Sequence, residues 1–343
     1  MPHGTFLRFI FPSLAAMILF IALPIISIAI QSLYVEHEQV LIVTENCGPF
    51  GCTPSTTIDQ QATQALRDAE PLGRFNGLGT YTNRSHLAFA EVSAAWAASD
   101  GIGDFLGRLM NLPFYKALAF TLSYTAIVTP LVLILGLMIA LAVNALPKMV
   151  KGPTIFFTLL PMIVTPLIAS LILFWMIDAR GIIGASLQNL TGDPNLSLKA
   201  SPTLTWITLF VYGVWHSAPF AFIVFYAGLQ TVSEETLEAA MIDGASRWQR
   251  VRHVTLPHLM PLVIFITLIQ LMDNFRVFEP IVGFSAEANA TSLSWIIFDD
   301  LRNEAGALFG SAAATSVLTI IGVAILLTPV VIRTWRDFNR KRV

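Results

Sequence analysis

Long apolar runs alternate along this chain with shorter polar segments. The runs extend from about Phe9 to Leu33, Ala117 to Ala145, Thr154 to Ile177, Leu204 to Gln230, Leu262 to Phe284 and Ser311 to Ile332. Each reaches the roughly 20 residues that a helix needs to cross ~30 Å of hydrocarbon. Backbone groups in lipid have no water to bond, so helices are the expected form of such runs. The pattern predicts an all-α membrane protein with about six transmembrane helices.

The first run is too long for a signal-peptide core, and no small-x-small cleavage site follows it, so it reads as a first transmembrane helix kinked at Pro24. Pro161 and Pro166 interrupt the third run. The carbonyls they free need neighbours or water, which argues for a packed bundle. Segment 34–116 is mixed and polar and reads as an extramembrane insert without a clear period. Its last part, Phe105 to Tyr115, has an amphipathic pattern suited to a membrane surface before the next span. The expected organisation is residues 1–33 as N-terminus and first helix, 34–116 as an external insert, 117–335 as a five-helix core with a loop at 232–257, and 336–343 as a basic tail.

Composition agrees. Hydrophobic residues make up 55% of the 343 and charged residues 12%, about half the charge of a typical soluble domain. Lipid is therefore the expected solvent. No basic block is interleaved with aromatics, so no nucleic acid partner is expected. Lys and Arg set the orientation. With the N-terminus inside, the short inner segments hold eleven of them and the much longer outer segments eight, as the positive-inside rule favours. Both cysteines, Cys47 and Cys52, then lie outside. In an oxidising compartment they can close a small loop through the Gly and Pro between them. Four intervening residues do not fit a CxxC redox motif, and two ligands are too few for a structural zinc site.

The segment from Ser233 to Pro257 differs from the rest. Ser233 is a good helix N-cap, and Glu234 and Glu235 fall in the first turn, where the helix dipole favours anions. Leu237, Ala240 and Met241 share an apolar face. Gly244 suits a helix stop. A short basic helix to about Val254 and then Pro257 precede the next span. The expected result is a helix–Gly–helix element projecting into the cytoplasm.

Glu238-Ala239-Ala240, three residues, Gly244, nine residues, Val254, one residue and Leu256-Pro257 resemble the EAA loop of binding-protein-dependent ABC permeases, with Val254 in place of the usual Ile. Asp243-Gly244-Ala245 and Pro261 resemble the maltose-type, carbohydrate-uptake branch. The resemblance covers roughly residues 115–335. It implies a type I ABC importer permease-like helical bundle with both termini cytoplasmic, in the bacterial inner membrane. It implies partners: a second permease subunit, two cytoplasmic ATPases and an external solute-binding protein; the long insert, two copies of which would collide around one docking site, suggests that the second permease is a different chain. Glu238, Ala239, Ala240, Asp243, Gly244, Leu256 and Pro257 would couple to the ATPases. No P-loop, HExxH or GxSxG occurs in the chain. No cofactor and no catalytic role are expected in it, and ATP-Mg would sit in the partner subunits.

The fifth run carries three charges, Asp273, Arg276 and Glu279, set among Asn274, Phe275 and Phe278. Charges at membrane depth usually face a bundle interior or a wet cavity. Spacing of three would let Asp273, Arg276 and Glu279 share a stripe and neutralise one another. Two readings stand side by side. In one, the run is a path for a hydroxyl-rich solute, with Phe275 and Phe278 offering ring faces and Trp215, deep in the fourth run, also on the path. In the other, it is a structural salt-bridge cluster or a span end. Maltose-type permeases show a similar Phe-Lys-Val-Phe-Asp run and a later Thr, matched here by Phe275 to Glu279 and Thr291, but their Gly-Gly-Pro turn is replaced by Ser285 to Asn289. His216 reads as a hydrogen-bonded packing residue. The favoured function is an importer permease for a sugar, polyol or glycerol derivative. The rival is an ion-coupled secondary transporter using Asp273, Arg276 and Glu279.

Overall fold

The structure is a computed structural model that describes residues 3–48, 51–199, 201–303 and 306–340. Among the described residues, five helices are long and apolar enough to cross a membrane: α1 (Arg8–Gln31), α5 (Pro113–Asn144), α9 (Pro202–Leu229), α11 (Arg247–Phe275) and the Phe309–Arg336 part of α14 (Phe309–Arg340). A sixth crossing is possible through the pair α6 (Lys148–Ile163) and α7 (Pro166–Ile177), which are bent by 94°. The chain divides into two compact units, Met1–Lys116 with Ile296–Ile320, and Ala117–Trp295 with Ile321–Val343.

The first unit contains the insert, and secondary structure appears where no period was legible. Strands β1 (Tyr34–Val35) and β4 (Arg74–Phe75) pair antiparallel, as do β2 (Leu41–Gly48) and β3 (Gly51–Ile58). The hairpin register sets Cys47 opposite Cys52; the side chains of this pair lie outside the described residues. Helix α2 (Gln60–Ala69) follows, with the Asp59 carboxylate accepting from the Gln61 and Ala62 amides. Next come α3 (Phe89–Ala97) and α4 (Ile102–Leu109). The amphipathic segment expected at Phe105 to Tyr115 is thus divided, because α5 already starts at Pro113.

Fully buried His86 ties this unit together. Its Nδ1 lies 2.9 Å from Asn83 Oδ1, and its Nε2 lies 3.1 Å from both the Ser311 carbonyl and the Thr315 hydroxyl. Desolvation outweighs these bonds and holds the imidazole below its ordinary pKa. Nearby, the Ser311 hydroxyl donates to Asp300 at 2.7 Å, and the Glu36 carboxylate accepts from the Gly310 amide. Burial holds the Asp300 carboxyl above the usual carboxylate range.

The second unit is a bundle. Phe120, Tyr124, Val128 and Val132 of α5 pack with Leu209, Tyr212, Phe222 and Phe225 of α9, and with Leu259 and Ile266 of α11. Between α7 and α9 lies α8 (Ile182–Thr191). After α9 come α10 (Glu234–Ile242) and α11, then α12 (Glu279–Gly283) and α13 (Leu293–Leu301). Gly213 permits a close helix approach, since a Cβ there would collide with the Tyr124 hydroxyl.

Proline explains three departures from the sequence pattern. The basic segment after Gly244 does not end near Val254. It runs on as α11, with a wide π-turn at Val251–Thr255 just before Pro257. Proline lacks a donor and crowds the carbonyl four residues back, and a widened turn relieves both. The same π-turn, Ile18–Ala22, precedes Pro24 in α1. The third run is not a straight helix: Val164 and Thr165 are extended, as residues before a proline tend to be. The fifth run is not one helix to Phe284. It stops at Phe275, and Pro280 lies in the first turn of α12.

Candidate functional site

Two places carry the residues singled out from sequence. The first is the α10 loop. The Ser233 hydroxyl accepts from the Thr236 amide, and Glu234 and Glu235 occupy the first turn. At the other end Gly244 has φ +77°, the Ala245 amide reaches the Ala240 carbonyl at 2.9 Å, and the Gly244 amide reaches Met241 at 3.0 Å. This double closure is a Schellman stop, and its left-handed residue favours glycine. Ser246 and Gln249 then form a capping box that restarts the helix. Helix α10 and the first turn of α11 expose Ile242 (87%) and Trp248 (69%), along with Met241. Glu238, Ala239, Ala240, Asp243 and Gly244 all belong to α10 and its stop. Leu256 and Pro257 lie beyond the π-turn, inside α11.

The second place is a cavity of about 470 Å³ inside the second unit, lined by Tyr124, Tyr212, His216, Asp273, Arg276 and Glu279 among others. Its wall is built around the break between α6 and α7. The Tyr212 hydroxyl donates to the Pro166 carbonyl at 2.7 Å, and His216 Nε2 lies 3.2 Å from the Val164 carbonyl. The Val164 carbonyl, left without a helical partner at the end of α6, is thereby bonded, as broken helices at membrane depth require. The rings of Tyr212 and His216 stack at 5.7 Å. On the facing side, Asn274 Nδ2 donates to Thr129 Oγ1 at 3.0 Å and to Gln270 Oε1 at 3.4 Å.

The charged run is arranged differently from a single stripe. Arg276 and Asp273 pair at 3.2 Å with both side chains about half exposed. Glu279 follows the helix break and opens α12, so it does not continue their stripe. Asp273, Asn274, Arg276 and Glu279 all line the cavity. Phe275 does not: it is 1% exposed, and its ring lies against Gly322. Phe278 and Trp215 are not among the lining residues either. Sequence reasoning missed Tyr124, Tyr212 and Ser217 as lining groups. The one available signal was a pair of tyrosines inside otherwise apolar runs.

The helices long and apolar enough to span a membrane, with a polar cavity among them, define a multi-pass membrane protein. Residues 133–335 match the family described as binding-protein-dependent transport system inner membrane component, and the chain belongs to that family. It is thus a multi-pass inner-membrane protein of the ABC transporter permease class. Among its relatives is the trehalose transport system permease protein SugA of Mycobacterium tuberculosis, 30% identical over 227 residues, which are 66% of this chain and 72% of the relative. Another is the trehalose/maltose transport system permease protein MalF of Thermococcus litoralis, 27% identical, with 64% and 75% covered. A bacterial ABC transporter involved in the import of the acidic polysaccharide alginate shares the fold at a TM-score of 0.59 and 20% identity, with 73% of this chain and 88% of that one covered.

Proposed function

We propose that this chain forms half of the translocation path of an ATP-driven importer for a sugar, polyol or glycerol derivative. A second permease subunit completes the path, two cytoplasmic ATPases drive it, and an external binding protein delivers the solute. Hydrolysis of ATP-Mg belongs to the ATPases, and this chain performs no covalent chemistry.

The observation that carries the reading is the α10 loop. Ile242 and Trp248 are large apolar side chains left uncovered in a polar segment, and such exposure marks a docking surface. The loop is rigidly closed at Gly244 and restarted at Ser246. The restarted helix is α11, whose far end carries Asp273 and Asn274 of the cavity. A push on α10 is therefore passed through the Gly244 turn into α11 and along it to the cavity wall. Glu238, Ala239, Ala240, Asp243 and Gly244 form the docking unit, and Leu256 and Pro257 sit at the compliant turn behind it.

The cavity suits a hydroxyl-rich solute. Asp273 and Glu279 offer acceptors, Arg276 donors, and Tyr124 and Tyr212 ring faces beside polar groups. The relatives support the solute class, since their names specify trehalose, trehalose/maltose and arabinooligosaccharide transport. A binding-protein partner is supported by the alginate transporter complex, which holds a periplasmic protein bound to an alginate pentasaccharide.

The test is co-purification of the tagged chain from membranes. An ATPase should accompany the wild type and be lost, or retained without stimulated turnover, in Glu238→Lys and Gly244→Pro. A wild-type chain that purifies alone and transports solute without ATP would sink the proposal.

A further inference from the structure

Apart from the path and the loop, the first unit bears an apolar surface with no partner in its own fold. Helix α4 presents Ile102 at 73% exposure, Leu106 at 48% and Met110 at 41%. With half-buried Phe105 and Leu109 they form one stripe at helical spacing. Asp104 and Arg108 lie on the opposite face and pair at 2.9 Å, while Gly103 and Gly107 occupy the flank between and face open space. Helix α3 exposes Phe89 at 58% and Trp96 at 63%. Ser93, between them, turns its hydroxyl onto the Ala90 carbonyl, which removes a donor from that face. The two helices are joined by an edge-on contact of Trp96 and Phe105, with ring centroids 5.0 Å apart.

The depth of this pair is fixed from both ends. His86, three residues before α3, is bonded to Ser311 and Thr315 in the first turns of α14. The Leu87 carbonyl accepts from the Tyr115 hydroxyl in the first turn of α5 at 2.8 Å. Helix α4 ends at Leu109, and α5 starts at Pro113. Both α5 and α14 are spans that begin at these residues. The helix pair is therefore held at the level where two spans enter the bilayer.

We infer that α3 and α4 form an interfacial anchor that lies on the membrane, with Phe89, Trp96, Ile102, Leu106 and Met110 inserted among the lipids of the leaflet on the insert's side. Three features favour lipid over a protein partner. The stripes carry no charge, and the charged pair points away from them. The pair is tied, through His86 and the Leu87 carbonyl, to the first turns of two spans. Trp96 and Phe105 supply the aromatic group that belongs at a headgroup boundary. The anchor would hold the insert at a set height above the bilayer, and it does not depend on the solute or on the drive.

The test uses the complete transporter, purified with its partner subunits and reconstituted in phosphatidylethanolamine/phosphatidylglycerol nanodiscs. Cys47→Ser and Cys52→Ser provide the background, and spin labels are placed singly at Ile102→Cys, Leu106→Cys and Gly107→Cys. Collision rates are read with oxygen, which prefers lipid, and with a water-soluble nickel chelate. The ratio of oxygen to nickel collisions should exceed one at positions 102 and 106 and fall below one at 107. Ratios below one at all three positions would mean a solvated surface and overturn the inference. Low collision with both reagents at 102 and 106 would mean burial against another protein chain, and would overturn it equally.

Discussion

The α10 loop and the cavity lie at opposite ends of the same helix, α11, and they were unequally legible. Every feature of the loop is local. Ser233 caps, Gly244 stops and Ser246 restarts, each acting on residues within five positions. The cavity is the reverse: the Tyr212 to Pro166 and Asn274 to Thr129 bonds join residues 46 and 145 positions apart. Short-range physics can be read along a chain. A wall assembled from five helices cannot, until their packing is known.

The largest expected effect breaks the loop. Gly244→Pro removes the amide that bonds Met241 and cannot take φ +77°. ATP-driven transport should be abolished while membrane yield stays near wild type, because no span is touched. Gly244→Ala sharpens the point: a left-handed alanine costs roughly 1–2 kcal/mol, so activity should fall and not vanish. Measured uptake by the two variants, normalised to protein in the membrane, checks both.

The next effect breaks the cavity. Gly213→Leu drives a side chain into the Tyr124 hydroxyl, and overpacking of this kind costs about 1–3 kcal/mol. Uptake should be lost together with thermal stability in detergent, unlike the loop variants. Tyr212→Phe is milder. It removes the hydroxyl's bond to the Pro166 carbonyl, a net loss of about 0.5–1.5 kcal/mol, and should lower the detergent melting temperature without changing ATPase association.

The third prediction concerns the first unit and pH. His86 is held below its ordinary value of 6.5 by desolvation, so the unfolded chain binds its proton first as pH falls. Stability from this group is complete above about pH 6.5 and is lost as pH falls through the folded value. The melting temperature should drop on acidification below neutrality, and His86→Gln should flatten that part of the profile. Asp300, raised by burial, acts in the opposite sense at lower pH: its contribution is present in acid and is lost as the carboxyl ionises. The smallest effect is Arg276→Gln. Its ion pair with Asp273 is half exposed, and such pairs contribute about 0–1 kcal/mol, so stability should hold while uptake reports whether Arg276 serves the solute.

The lengths of the apolar runs carried most of the membrane architecture, because hydrocarbon thickness imposes length directly. Where the runs misled, proline was the cause. A hydropathy pattern does not separate a helix that tolerates Pro257 through a π-turn from one that breaks at Pro166. Phe275 illustrates the limit at the site. Its position among Asp273, Asn274 and Arg276 suggested a solute-facing ring, but helix rotation turns it onto Gly322. The insert was opaque because its strands pair over spans of polar sequence, with Tyr34 opposite Phe75.

Uptake into proteoliposomes containing the full transporter tests the central claim most directly, with ATP inside or absent, with binding protein present or absent, and with proton or sodium gradients imposed separately. The account predicts uptake that requires ATP and binding protein together, ignores both gradients and disappears in Glu238→Lys. Uptake driven by a proton or sodium gradient without ATP, and retained in Glu238→Lys, would contradict it.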